Sequence, residues 1–203
     1  MSNFTLSKRR VKVLPETVNS AGGSTFSINA DYRNILRIFR MIADPDINDR
    51  HRGYLLAKWF FEDIAVVPPD YGQIFERFIT NGEEHTSSNG KQVFCYEFDA
   101  EEIYSSFLAV YGIDLLDAEY MHWYKFRALL SGLFMCENPL SKKIELRTLD
   151  ISKCENKTEA RKAKEAVQIP QKVGYSDAKL QEKILQALKN GESVTQLLQG
   201  CDG

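Results

Sequence analysis

The stretch from Asp117 to Phe134, DAEYMHWYKFRALLSGLF, constrains the fold more than any other part of the chain. At about 100° per residue, Tyr120, Trp123, Tyr124, Phe126, Leu129, Leu130, Leu133 and Phe134 cover most of a helix circumference. Asp117, Lys125 and Gly132 leave only a narrow polar strip. A helix that is apolar nearly all round has no face to give to water, so it belongs at the centre of a bundle. The pattern predicts a helix over 118–133, capped by Asp117, with the other helices packed around it.

The flanking sequence supplies those helices. Asn29 or Asp31 can cap a first one, in which Ile35, Leu36, Ile38, Phe39 and Ile42 recur at helical spacing to about residue 43. Pro45 stops it, Asn48 or Asp49 caps the next, and Leu55, Leu56, Trp59 and Phe60 carry that helix to about residue 64. Pro68-Pro69-Asp70 starts a third, with Ile74, Phe75, Phe78 and Ile79 as its stripe and Asn81-Gly82 as its stop. A polar loop follows over 83–91. Phe98-Asp99 then opens a fourth helix with Ile103, Tyr104, Phe107, Leu108 and Tyr111, ended by Gly112.

Past Pro139 large apolar residues thin out, and 141–167 reads as one solvated helix or a pair of short ones. Pro170 and Gly174 break it, and Ser176 caps a last amphipathic helix carrying Leu180, Ile184, Leu185 and Leu188. At the other end, the basic run Lys8 to Lys12, Pro15 and the turn Ala21-Gly22-Gly23-Ser24 form a leader. A short strand pair, Val11–Leu14 with Thr25–Ile28, would fit there. The expected fold is all-α: a leader over 1–25, a helical bundle over 26–150 around the central helix, a peripheral helical appendage over 151–203, and at most a small N-terminal β element.

Charge names no partner. Against 28 acidic side chains stand 26 basic ones, a net charge of -2. Such a chain has no bulk field to draw in nucleic acid or anionic lipid. Nucleic acid is therefore not an expected partner, and neither is a membrane, because no apolar run approaches the roughly 18 residues of a span. The basic pair near the N-terminus has no apolar region behind it, so it does not read as a signal peptide. Cys95, Cys136, Cys154 and Cys201 lie far apart and read as reduced cytosolic thiols. The glycosylation sequons at Asn3 and Asn156 are then chance matches.

Chemistry fares no better. The sequence has no H-E-x-x-H, no G-x-x-x-x-G-K-[ST], no G-x-S-x-G and no C-x-x-C. Asp44-Pro45-Asp46-Ile47-Asn48 spaces oxygens like the start of a calcium loop, but Asp49 stands where the turn needs Gly and Leu55 where the loop needs Glu. The plainer reading is a helix end, a proline break and the next cap. His51, His85 and His122 are too scattered for a ligand set. Arg127 lies on the apolar face of Trp123 and Leu130, so it needs a carboxylate, Asp114 or Glu119, or backbone carbonyls. No catalytic, cofactor-binding or metal-ligating residue is expected, and no cofactor.

The segment LQALKNGESVTQLLQG has the cadence of the first half of a helix-turn-helix, without the recognition helix that the motif needs beyond it. A partner-binding or self-docking helix built on Leu180, Ile184, Leu185 and Leu188 accounts for it better.

The order of blocks resembles one known family. FSINADYRNIL, DPDINDRHRGYLLAKWFFED and PPDYGQIFERFITNG precede FDAEEIYSSFLAVYGIDLL and MHWYKFRALLSGL. Together they look like the tail-assembly proteins encoded between the major tail protein and the tape-measure protein in long-tailed phages and prophages of Gram-positive bacteria. The likeness covers about residues 26–150 and is most specific between Ile103 and Leu133. It implies a non-catalytic chaperone in the host cytoplasm that shields the apolar stripes of the tape-measure protein, and also meets the major tail protein or further copies of itself. Two other readings stand beside it: a structural minor tail component that stays in the virion, and a DNA-binding regulator using the C-terminal helices. An enzyme comes last.

Overall fold

The computed structural model describes residues 14–63, 67–81 and 93–169. Among them, strands β1 (Thr17–Asn19) and β2 (Thr25–Ser27) precede α1 (Tyr32–Ala43), α2 (Asp49–Phe60), α3 (Tyr71–Thr80) and α4 (Ala100–Tyr111). Then come α5 (Trp123–Leu133), α6 (Pro139–Thr148), a single 3-10 turn at Ile151–Lys153, and α7 (Lys157–Ala166). The fold is mostly helical with one small N-terminal hairpin, as the sequence pattern predicts.

The hairpin pairs Thr17 with Ser27, Val18 with Phe26 and Asn19 with Thr25. The strand paired with 25–27 is therefore Thr17–Asn19 and not the expected Val11–Leu14, of which residues 11–13 lie outside the described residues. A strand there would leave ten residues to close the loop, whereas Gly23, at φ +81°, allows a tight turn that sets residues 17–19 opposite 25–27. The turn is fastened from outside: the Ala21 amide donates to the Asp70 carboxylate at 2.9 Å.

Helix boundaries follow local cap chemistry. The Asp31 side chain accepts from the Arg33 amide at α1, and the Asn48 side chain accepts from the His51 amide at α2. Asn81 (φ 57°) ends α3 and Gly112 (φ 63°) ends α4, both left-handed. Asn138 and Ser141 form a reciprocal capping box at α6, with Pro139 in its first turn. The Asp44–Asn48 stretch is a helix end followed by a cap, and Arg52 is buried beneath it, donating to the Asp44 carbonyl and to Asp49.

The central helix is shorter than the periodicity implies. It begins at Trp123, not Ala118, and its cap is His122, not Asp117. Residues 121–123 spend their backbone groups elsewhere. The Trp123 amide donates to the Ala30 carbonyl at 2.7 Å, and the Tyr32 amide to the Met121 carbonyl at 2.9 Å. The Met121 amide reaches the Asp31 carboxylate at 3.2 Å. This pairing across some ninety residues outcompetes one more turn of helix, and it leaves Tyr120 exposed.

From Trp123 onward α5 does fill the core. Trp123, Phe126, Leu130 and Leu133 are buried, each contributing roughly 1.5–3 kcal/mol of transfer free energy. The Phe126 ring lies between Tyr32 and Phe107, with centroids 4.5 and 5.3 Å away and planes within 13° of parallel. Phe39 meets Trp123 edge-on at 5.5 Å, and Phe75 meets Phe60 edge-on at 5.0 Å. These rings knit α1, α2, α3, α4 and α5 together. By contrast α7 has no buried residue; it is held at its ends, where the Lys164 ammonium donates to the Leu149 carbonyl at 2.6 Å.

Candidate functional site

His122 and Arg127 both hydrogen-bond to backbone groups of the scaffold. His122 accepts the Tyr124 amide at Nδ1 (3.0 Å), so the neutral ring donates from Nε2 to the Pro15 carbonyl at 3.0 Å. Burial pushes its pKa below the ordinary histidine value, against the raising effects of the Pro15 bond and Glu16. His51 is exposed at the start of α2, and His85 lies outside the described residues. Arg127 does not take Asp114 or Glu119. Its guanidinium donates to the Ile79 carbonyl, while the Tyr124 hydroxyl donates to the Phe78 carbonyl at 2.8 Å. The last turn of α3 leaves carbonyls without helical partners, and α5 supplies two donors to them. Asp114 instead accepts from the Tyr104 hydroxyl at 3.2 Å and caps the turn after α4; the Glu119 carbonyl accepts from Arg33 at 2.8 Å.

Among the described residues, no group of three or more His, Cys, Asp or Glu side chains could hold a metal ion. No helix among them is long and apolar enough to cross a membrane. Cys95 is buried, Cys136 exposed and Cys154 half-buried, all as free thiols. The partner-binding candidates Leu180, Ile184, Leu185 and Leu188, with the polar loop 83–91, lie outside the described residues.

A buried ion pair escaped the sequence reading. Asp99 sits at the N-terminal end of α4, where it was expected to cap, yet its carboxylate makes no capping bond there. It accepts from Arg147 Nη1 and Nη2, at 2.7 and 2.5 Å, the Cys95 amide at 2.9 Å and the Lys143 ammonium at 3.2 Å. Burial pushes the Asp99 carboxyl up; Arg147, the Cys95 amide and Lys143 outweigh it and hold it below the ordinary carboxylate value. Arg147 also donates to the Val93 carbonyl at 2.9 Å and the Val167 carbonyl at 2.5 Å. One guanidinium thus ties the segment before α4, the start of α4, the end of α6 and the chain just beyond α7. The only signal in the sequence was an arginine one helical turn after Lys143, in a stretch that reads as solvated.

Several large apolar side chains are exposed near the ends of α4 and α5. The Tyr111 hydroxyl donates to the Leu129 carbonyl at 2.8 Å, and its oxygen would lie 2.5 Å from a Cβ at Gly132, so the missing side chain lets the two helix ends approach. At these helix ends Leu108, Val110, Phe134 and Met135 are exposed, Met135 at 89 %, and Leu116, in the turn after α4, is 78 % exposed. The amphipathic pattern had placed Leu108 in the buried stripe. Leu108, Ala109 and Val110 are all exposed: the last turn of α4 meets α5 through Tyr111, and among the described residues its other positions stay uncovered.

A family model described as bacteriophage Gp15 protein matches residues 12–169, wider on both sides than the 26–150 over which the motifs carry the likeness. No curated protein matches the chain, and no solved structure does.

Proposed function

The chain belongs to the bacteriophage Gp15 protein family, and from that premise we propose that it is a non-catalytic assembly protein of the phage tail. Its partner is the tape-measure protein, and tail-tube subunits also meet it during morphogenesis in the host cytoplasm. The tape measure is a very long helical chain with extended apolar stripes, prone to aggregate until the tube polymerises around it. A helical protein that covers those stripes and is then displaced performs the needed work without any reaction chemistry.

The observation that carries this reading, beside family membership, is the number of large apolar side chains left exposed near the ends of α4 and α5. Covering Leu108, Leu116, Phe134 and Met135 would contribute on the order of 4–8 kcal/mol. Association itself costs several kcal/mol, so such a contact is weak and reversible. That suits a partner which must be released.

Co-expression with the tape-measure protein tests it. The wild-type chain should keep the tape measure in the soluble fraction and co-purify with it. Met135→Lys combined with Leu116→Lys should abolish both while leaving the helical circular-dichroism spectrum unchanged. Equal co-purification by the double variant would reject this surface, and an insoluble tape measure in the presence of wild type would reject the chaperone role.

A further inference from the structure

The seam between α4 and α6 is an open groove. Ala109 and Val110 line one side, Pro139 and Leu146 the other, and Val167, just past the end of α7, lines it too. Glu102 lies in the same groove. Its Oε1 is 2.7 Å from the Lys143 ammonium, while its Oε2 is buried with no hydrogen-bond partner among the described residues. A buried carboxylate oxygen without a donor is costly. Glu137, Asn138, Lys142 and Lys143 complete the lining, so the groove carries an apolar strip of Ala109, Val110, Pro139, Leu146 and Val167 edged by charged and polar groups, with one unmet demand for an N–H group among the described residues.

We propose that residues 176–190 of this same chain occupy the groove as a helix, with Leu180, Ile184 and Leu188 against Val110, Leu146 and Val167, and the Lys183 ammonium on Glu102 Oε2. The dimensions agree. Pro139 to Leu146 spans about 10 Å of helix, and Leu180 to Leu188 about 12 Å. Lys183 sits on the flank of that stripe, where a long side chain can reach the groove edge.

The chain's course favours this occupant over others. Val167 is already in the groove, and the nine residues from there to Ser176 can extend about 30 Å, ample to reverse direction. Pro170 and Gly174 in that stretch favour a turn. A helix of this length is marginal alone in water, so its apolar stripe needs a surface. A tethered segment also competes at millimolar effective concentration, which a second copy or a client helix must overcome.

A photo-crosslinking amino acid placed at Val110 of the full chain, with hydrogen exchange read in parallel, tests the docking. The expected result is a crosslink within the monomer to a peptide containing residues 180–188, independent of protein concentration. Amides of 180–188 should exchange at least tenfold more slowly than in an unstructured chain. That slowing should vanish in Ile184→Glu and weaken in Lys183→Met, while the slow amides of α1 and α5 keep their wild-type protection in both variants. Crosslinks that join two copies, or none to 180–188, overturn the proposal. So does exchange over 180–188 that is unprotected in the wild type or unchanged by Ile184→Glu.

Discussion

Replacing Asp99 with alanine removes the acceptor of four donors from a site where Asp99 is 0 % exposed and Arg147 4 %. The Arg147 guanidinium keeps the carbonyls of Val93 and Val167, which solvate it without neutralising it. A buried charge stripped of its counter-ion costs about 3–5 kcal/mol, and the partial solvation by carbonyls argues for the lower half of that range. For a chain of this size each kcal/mol lowers the melting temperature by roughly 2–4 °C, so a drop on the order of 6–15 °C is expected. Arg147→Met combined with Asp99→Leu should recover much of the loss, because no charge is then left buried. Urea denaturation of the two variants and the wild type supplies the numbers. The pH dependence has a definite sign. Asp99 is held below its ordinary value in the fold, so the stability it contributes is present above about pH 4, the unfolded carboxyl pKa, and is lost as pH falls through the lower folded value. A cost below about 1 kcal/mol for Asp99→Ala, or a double variant no better than the single one, would refute the reasoning.

Three further outcomes follow from the core and its caps. Trp123→Ala should cost about 3–5 kcal/mol in chemical denaturation, since Trp123 is buried against Phe39 and Phe126, and a loss under about 1 kcal/mol would show the ring is not core. His122 is held neutral in the fold with its pKa below the ordinary value, so stability should be full above about pH 6.5 and fall as the unfolded histidine protonates below it; His122→Asn, which keeps a capping side chain, should lose that slope, and an unchanged slope between pH 5.5 and 7.5 would count against the role. Gly132→Ala should gain little, because its Cβ would displace the Tyr111 hydroxyl; in a Tyr111→Phe background the same change should stabilise by about 0.5–1 kcal/mol in a melting experiment, and equal effects in both backgrounds would exclude the steric explanation.

Where the sequence was legible, the determinants were local. Asp31, Asn48, Asn81 and Gly112 mark helix ends through their own side chains or their tolerance of left-handed backbone, so α1 to α4 could be bounded from a few neighbouring residues. Where it was not, the deciding partner lay far along the chain. Nothing near Ala118 says that residues 121–123 will pair with 30–32, so periodicity ran the central helix on through a segment that is extended. Arg127 takes the second of its two expected kinds of partner, a backbone carbonyl at the end of α3; which carbonyl, 48 residues away, has no mark near Arg127. Asp99 looked like a cap and became an ion-pair partner of a residue 48 positions away. Periodicity also assigns a face without saying how far a neighbouring helix extends along it, which is why Leu108 was placed inside and stands outside. The apolar surface proposed for the partner is legible in hindsight only as an excess: Leu116 and Met135 flank helix ends that the core does not use.

The most direct test of the tail-assembly account is quantitative mass spectrometry of this protein in two fractions, host lysate during tail assembly and purified phage particles. The account predicts that the chain is abundant in the lysate, sediments with the tape-measure protein, and is missing from finished particles. A fixed copy number in purified virions, with no tape-measure complex in the lysate, would contradict it and assign the protein to the tail itself.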